Sequence, residues 1–522
     1  MRGHLAILLH AHLPYVRHPE HERFLEESWF FEAVTEVYLP LLGRLRGLRS
    51  EGVRFRLTLS LSPTLGAMLE DDLLRGRWRR RHEQLIELAR REGIRHRWQP
   101  VQQALAQRQA AAFDASLRLW DEIAGDLPAA FGELERSGHL ELITCAATHA
   151  VLPLLADEPT AIAGQVATAV AEHQRRFGRS PGGFWLPECA WDHAVEPALA
   201  AAGIRWFAVE THALLDAGAR YGVFAPVATP RGLAAFAREP TSARQVWSRE
   251  IGYPGDPRYR EFHHDLGHEA ELEYVRPFLP GPVDRGFTGL KYHAVTGGEP
   301  KRLYDPGAAE AAVGEHARHF VASRAAQARG LAAVMPEPPV LLCPYDAELF
   351  GHWWHEGPDF LAAVIRAAAA CPDLDLVTPS QHLARMHSIQ RLAPVPSTWG
   401  QGGHLGVWLQ PANEWIQRET HAAIRRFRET LATVGDARHE PARWRSLEQA
   451  ARELLLAQAS DWPFILHTGT GPTYAVQRVR EHLAGLDELC RLAASETPDL
   501  GRVAALAARH PLFPTVDPAL WR

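Results

Sequence analysis

The sequence predicts an α/β fold: a parallel, closed or nearly closed barrel of about seven strand–helix units, followed by a separate helical domain. Three observations carry this. Short apolar runs of strand length alternate with long helically periodic stretches as far as about residue 390. Runs of that length with helices between them belong in a parallel sheet with crossover helices, and so many units in one domain favour closing the sheet. Finally, polar residues competent for chemistry follow the apolar runs repeatedly, as they do at the C-terminal mouth of a barrel.

The elements follow in order. Residues 5–9 form the first strand and lead into His10 and His12; a helix is expected over 32–48. The second strand is placed at 55–61, with helices over 81–91 and 110–123. The run 140–145 leads to Thr148 and His149, and a helix follows over 161–176. The run 184–186 leads to Glu188, and 206–209 leads to Glu210 and His212. Between 213 and 290 the pattern breaks down: Thr229-Pro-Arg-Gly232, Gly252-Tyr-Pro-Gly-Asp-Pro257 and the breakers at 277–282 read as loops over the mouth. A helix over 307–328 precedes the run 340–343, which leads to Asp346 and Glu348, and a last run lies at 374–377. After the Gly-rich aromatic segment 397–403, helical patterns at 414–433, 441–459 and 474–494 read as a C-terminal helical domain. The division expected is a catalytic barrel over 1–395, with an insertion and mobile loops at about 190–290, and a helical domain over 396–522.

Composition narrows the function. The net charge of -6 gives no reason to expect nucleic-acid binding or an anionic membrane surface. The two lysines, Lys291 and Lys301, do not follow a Gly-x-x-x-x-Gly loop, which excludes a phosphate-binding P-loop. Five scattered cysteines without a Cys-x-x-Cys pair suit a reducing cytoplasm rather than a disulfide framework. The apolar start is too short for a signal peptide and runs into His10 and His12, and no stretch is long enough to span a membrane.

Two segments concentrate the chemistry: Gly183-Phe-Trp-Leu-Pro-Glu-Cys-Ala-Trp191, and Leu341-Leu-Cys-Pro-Tyr-Asp-Ala-Glu-Leu-Phe-Gly-His-Trp-Trp354. Each is an apolar run ending in an acid among aromatics, Glu188 in one and Asp346 in the other, with Glu348 as a fallback. A lone glutamate after a strand ordinarily caps a helix or pairs with an arginine, and Asp346 before Ala347 has the look of an N-cap. Flanking indoles and a place at the barrel mouth favour instead a carboxylate pair that cleaves a sugar–sugar bond. A gap of ~5–5.5 Å between the acids means retention and ~6.5–9.5 Å inversion.

His10 and His12 lie two apart on one strand, so both point the same way. Sugar contact is the favoured reading; a zinc pair with His149 and Asp346 as further ligands is the alternative. Trp29, Trp185, Trp191, Trp247, Trp353, Trp354, Trp399, Trp408 and Trp415 sit in loops or at element ends. Core packing is expected for about half of them, and platforms for pyranose rings for the rest. Asp461, in Ser460-Asp-Trp-Pro-Phe464, caps a turn or reaches across from the C-terminal domain to a sugar hydroxyl.

Together these segments resemble glycoside hydrolase family 57, and within it the 1,4-α-glucan branching type. The likeness covers almost the whole chain: His10-Ala-His-Leu-Pro-Tyr15, Glu27-Ser-Trp-Phe-Phe-Glu-Ala33, Thr148-His149, Trp185-Leu-Pro-Glu-Cys-Ala190, Gln245-Val-Trp-Ser248, Tyr259-Arg-Glu-Phe262, the segment around Asp346, Trp399-Gly-Gln-Gly-Gly403 and the segment around Asp461. The resemblance implies an incomplete (β/α)7 barrel with an inserted segment and a helical C-terminal domain. It also implies a retaining mechanism without metal or other cofactor, with Glu188 as nucleophile and Asp346 as acid/base. Arg260, Trp399, Trp408 and Asp461 match positions that hold glucan, and an α-1,4-glucan is the expected partner. Two departures stand out. The segment 232–239 resembles the family's mobile loop, with Ala235 where a tyrosine is usual, which favours hydrolysis as an α-amylase. The stretch 261–268 carries histidines in place of an arginine and an aromatic residue.

Overall fold

A computed structural model of the chain describes residues 2–248, 251–281 and 285–522. The end of the breaker cluster at 277–282 lies outside the described residues. Among the described residues there are ten strands: β1 (Gly3–Ala11), β2 (Leu57–Leu61), β3 (Leu140–Cys145), β4 (Gly183–Trp185), β5 (Trp206–Val209), β6 (Val227–Ala228), β7 (Ala234–Ala237), β8 (Val340–Asp346), β9 (Leu374–Leu376) and β10 (Gln390–Arg391). The path β7-β5-β4-β3-β2-β1-β8 is parallel throughout. It closes on itself where Arg238 bridges Leu342 and the Glu239 N–H donates to the Leu342 carbonyl at 2.9 Å. The result is a (β/α)7 barrel with one narrow seam. β1 is buried along its whole length, as expected for a parallel strand covered on both faces.

Most of the expected strands and helices are present with boundaries shifted by a few residues. Two assignments change. The run 374–377 is not a barrel stave: β9 pairs with the start of β1, off the barrel path. The segment 232–239 is not a mobile loop. Ala234–Ala237 is the seventh stave, and Ala235 is fully buried between Phe207 of β5 and Val227 of β6. Alanine has weak strand propensity, so this run was not legible as a strand; burial between two neighbours overrides the propensity. Ala235 is therefore wall, not the tip of a closing loop.

Local chemistry aims several elements at the mouth. Gly183 lets β4 lie flat against Trp206, since a Cβ there would come within 2.2 Å of the indole. The first helix is interrupted by a π-turn over Val34–Tyr38, followed by Pro40, which has no N–H to offer the carbonyl of Glu36. The turn carries Tyr38 and Glu36 toward the segment after β8. The C-terminal helices Glu414–Val434, Pro441–Ala457, Asp461–Thr468, Pro472–Ala494 and Leu500–Arg509 pack beside the barrel. The short turn between the second and third of these returns to the mouth, where the Ser460 N–H donates to the His149 carbonyl at 3.3 Å. Among the described residues, no helix is long and apolar enough to cross a membrane.

Candidate active site

The register of the barrel brings the first residues together. β1 pairs His10 with Asp346 of β8 on one side and with Ser60 of β2 on the other. His10 Nδ1 lies 3.0 Å from Ser60 Oγ, and His12 Nδ1 lies 2.9 Å from Ser62 Oγ. His149 follows β3 with a positive φ of 58° and faces His10, Nε2 to Nε2, at 2.9 Å. Its other nitrogen meets Ser460 Oγ at 2.7 Å, while its ring stacks on His12 at 3.9 Å between centroids. His12 Nε2 lies 3.3 Å from both carboxylate oxygens of Asp461. All six ring nitrogens thus have side-chain partners, and the zinc reading of this pair loses its free donors. His10 is also covered, stacked on Trp185 at 4.8 Å and 2% exposed, so it supports its neighbours instead of touching sugar. Burial, first, and the neighbouring histidines hold His10 and His149 well below the usual imidazole pKa, so both are neutral.

Glu188 sits just past β4 in the left-handed region, φ 62° and ψ 23°. For a non-glycine residue this stores about 1–3 kcal/mol, which the surroundings must over-determine. They do: the Trp399 N–H donates to the Glu188 carbonyl at 3.0 Å, and the Cys189 N–H to the Leu186 carbonyl at 2.9 Å. The strained turn aims the side chain into the mouth. There Oε2 accepts from Trp399 Nε1 at 2.8 Å, and Oε1 lies 3.8 Å from His149 Nδ1. Burial pushes its pKa up to about 7, against the pull of Trp399 and Ser460 toward the carboxylate form.

Asp346 ends β8 at the N-cap position of a 3-10 turn, but its side chain makes no cap bond. Among the described residues its carboxyl has no hydrogen-bond partner. Burial raises its pKa well above the ordinary range, and the charges of Glu348 and Glu188 raise it further. Asp346 thus lies within reach of the Glu188 charge. Glu348 lies behind them, accepting from the Tyr38 hydroxyl and, at 3.2 Å, from the His12 N–H; burial lifts it to about 7.

The remaining sequence candidates divide. Trp399, half-buried, meets Trp185 edge-on at 5.0 Å and Trp247 at 6.1 Å; Trp247 is 39% exposed and forms an open indole wall. Trp408 is buried against Val151, Ala190 and Val407, behind Trp399. Asp461 reaches across from the helical region and meets His12. Trp29 packs edge-on against Tyr474 at 6.0 Å, and Arg260 is bridged to Ala294 with its N–H on Glu356 at 3.1 Å. Neither contacts the two acids. Of the other tryptophans, Trp185, Trp191 and Trp354 are core, while Trp353 is exposed.

Sequence reasoning missed Arg238. Its guanidinium pairs with Glu210 at 2.8 Å, lies 5.7 Å over the Trp399 ring and opposes the upward shift of Asp346. The signal was there: Arg238 follows an apolar run exactly as Glu188 and His149 follow theirs. It was lost because 234–237 did not read as a strand. Ser60, Ser62 and Ser460 were also missed, since nothing local distinguishes them from other serines.

The chain matches the model of glycosyl hydrolase family 57 over residues 6–395 and that of the 1,4-alpha-glucan branching enzyme C-terminal region over 419–521. It is 33% identical over 518 residues to a 1,4-alpha-glucan branching enzyme of Thermococcus kodakarensis, covering 92% of this chain and 72% of the relative. Among solved structures it is similar to the alpha-amylase AmyC from Thermotoga maritima, with TM-score 0.92, 38% identity, and 100% and 99% of the two chains covered. It is also similar to the branching enzyme from Pyrococcus horikoshii, with TM-score 0.89, 30% identity, and 100% and 97% covered.

Proposed function

The chain belongs to glycosyl hydrolase family 57, and from that premise we propose that it is a retaining 1,4-α-glucan branching enzyme. Glu188 attacks C1 of an α-1,4-linked glucose as the C1–O4 bond breaks, and Asp346 delivers its proton to the departing O4. The ionised Asp346 then takes the proton of an O6 hydroxyl on another chain. That oxygen attacks C1, expels the Glu188 carboxylate and leaves an α-1,6 branch. The observation that carries the reading is the unequal environment of the two acids. Glu188 has donors that favour its anion, whereas Asp346 has none and is held protonated. Arg238 and His12 set the local charge, Trp399 and Trp247 present indole faces to the glucan, and Asp461 anchors His12. Five free cysteines suit work on glucan in the cytoplasm.

A second reading, hydrolysis as an α-amylase, draws support from the 38% identity to AmyC; Ala235 no longer contributes to it. Amylose incubated with the purified protein separates the two. New α-1,6 proton signals with few new reducing ends support branching, and reducing ends without α-1,6 signals mean hydrolysis.

A further inference from the structure

A second cluster of ligating side chains lies in the inserted segment. His264 Nδ1 is 2.6 Å from Glu269 Oε1, and His293 Nδ1 is 3.7 Å from the same oxygen. The three donor atoms all lie within 4.8 Å of one another. His293 Nδ1 is shut off from solvent and has no hydrogen-bond partner. On the far side of the His264 ring, Nε2 lies 3.1 Å from Glu299 Oε1. A proton on His264 would hold the row Glu269–His264–Glu299 together but leaves the His293 nitrogen orphaned, at about 1–3 kcal/mol.

We infer that His264 Nδ1, His293 Nδ1 and Glu269 form a binding site for a divalent transition metal of the zinc type. Two imidazoles and one carboxylate are a zinc-like donor set, and hard cations such as Mg²⁺ select all-oxygen sites instead. Tetrahedral coordination at ~2.0–2.1 Å puts donor atoms about 3.3 Å apart. The 3.7 Å contact need close only slightly, and the 2.6 Å contact must open by less than about 1 Å to reach that spacing. Glu299 then takes the place of the carboxylate that orients a metal-bound histidine through its other N–H. The two histidines are half-buried and Glu269 is exposed, which leaves the fourth position to water.

The site joins two pieces of chain distant in sequence. His264 precedes the short helix Leu266–Glu269 and Glu269 ends it, while the His293 carbonyl accepts from the Glu261 N–H at 2.8 Å. Its neighbour Ala294 bridges Arg260. A bound ion would therefore pin the segment that carries Arg260.

The test uses untagged full-length protein, stripped with chelator and titrated with ZnCl₂ by calorimetry alongside thermal unfolding. One tight equivalent that raises the melting temperature is expected. The double variant His264→Ala/His293→Ala should lose it, Glu299→Ala should weaken it about 10- to 100-fold, and excess Mg²⁺ should not displace it. His510→Ala, in the separate buried Glu453–His482–His510 cluster, should leave it unchanged. Absence of saturable one-to-one binding, or full binding by the double variant, would overturn the assignment. Should that variant not fold, zinc-edge absorption on the zinc complex of His510→Ala decides: two imidazoles in the coordination shell support the site, and fewer refute it.

Discussion

His10 and His149 meet through their Nε2 atoms at 2.9 Å, and this contact belongs to a hydrogen-bond chain that ends at Glu188. Two neutral imidazoles joined this way need one donor and one acceptor. Glu188 as a carboxylate only accepts, so the Ser460 hydroxyl points toward it. Ser460 then accepts from His149 Nδ1–H, His149 Nε2 accepts from His10 Nε2–H, and His10 Nδ1 accepts from the Ser60 hydroxyl. Every imidazole and hydroxyl in it is satisfied and uncharged, which suits rings whose pKa burial has lowered.

Trp399→Phe keeps the ring and removes the N–H donated to Glu188 at 2.8 Å. A hydrogen bond to a charged group is worth about 1.5–3 kcal/mol, equivalent to roughly 1–2 pKa units. Loss of a donor that favours the anion raises the Glu188 pKa. The acidic limb of the kcat/KM–pH profile should therefore move upward by about that much, leaving activity ~10-fold or more lower at pH 6. An unmoved limb would show that Trp399 does not set the ionisation of Glu188.

Stability should fall as pH rises through the Glu188 transition. Its folded pKa, about 7, stands above its ordinary value of 4.5, so the folded state holds the proton more tightly. The associated stability is fully present below 4.5 and is lost as pH rises through about 7. Glu188→Gln removes that loss. The variant should be more stable than the parent at pH 8 by on the order of 2 kcal/mol, with little difference at pH 4. Urea melts at the two pH values check this, and equal differences would contradict it. The same variant should lack glucan activity at any pH.

Asp346→Asn removes the proposed proton donor and leaves Glu188 in place. On glucan, the rate should drop by about 10²–10⁴-fold. On an aryl glycoside whose leaving group needs no protonation, the first step should survive, while turnover stalls for want of a base. Mass spectrometry should then find the glycosyl group on Glu188. A burst-free reaction equally slow on both substrates would remove Asp346 from the acid/base role.

Arg324→Met tests the support behind the mouth. Arg324 and Glu239 pair at 3.0 Å, 2% and 1% exposed. Glu239 also caps the helix Pro240–Trp247 through Thr241 and Ser242 N–H. Removing one partner of a buried pair strands the other charge, at about 3–5 kcal/mol. The melting temperature should fall accordingly, and Trp247 fluorescence should report a loosened helix. A loss below about 1 kcal/mol would mean that Glu239 neutralises itself by taking up a proton.

Short-range pattern was enough to place most staves, the helices between them and the acids at their ends. Apolar runs must be buried, and a residue directly after a barrel strand has few directions in which to point. Glu188, Asp346, His10, His12 and His149 were all legible for that reason, and Trp399 and Asp461 through motif resemblance. β7 was not, because Ala234–Ala237 is a strand only by virtue of the β5 and β6 neighbours that cover it; Arg238 disappeared with it. Nor did local sequence tell Ser60 and Ser460 from other serines, or separate Arg260 and Trp29 from the acids. Which groups share a hydrogen bond, and how far burial moves a carboxyl, depend on contacts between residues up to several hundred positions apart. Local sequence encodes which faces avoid water; the distance and dielectric between two side chains exist only once the barrel has closed.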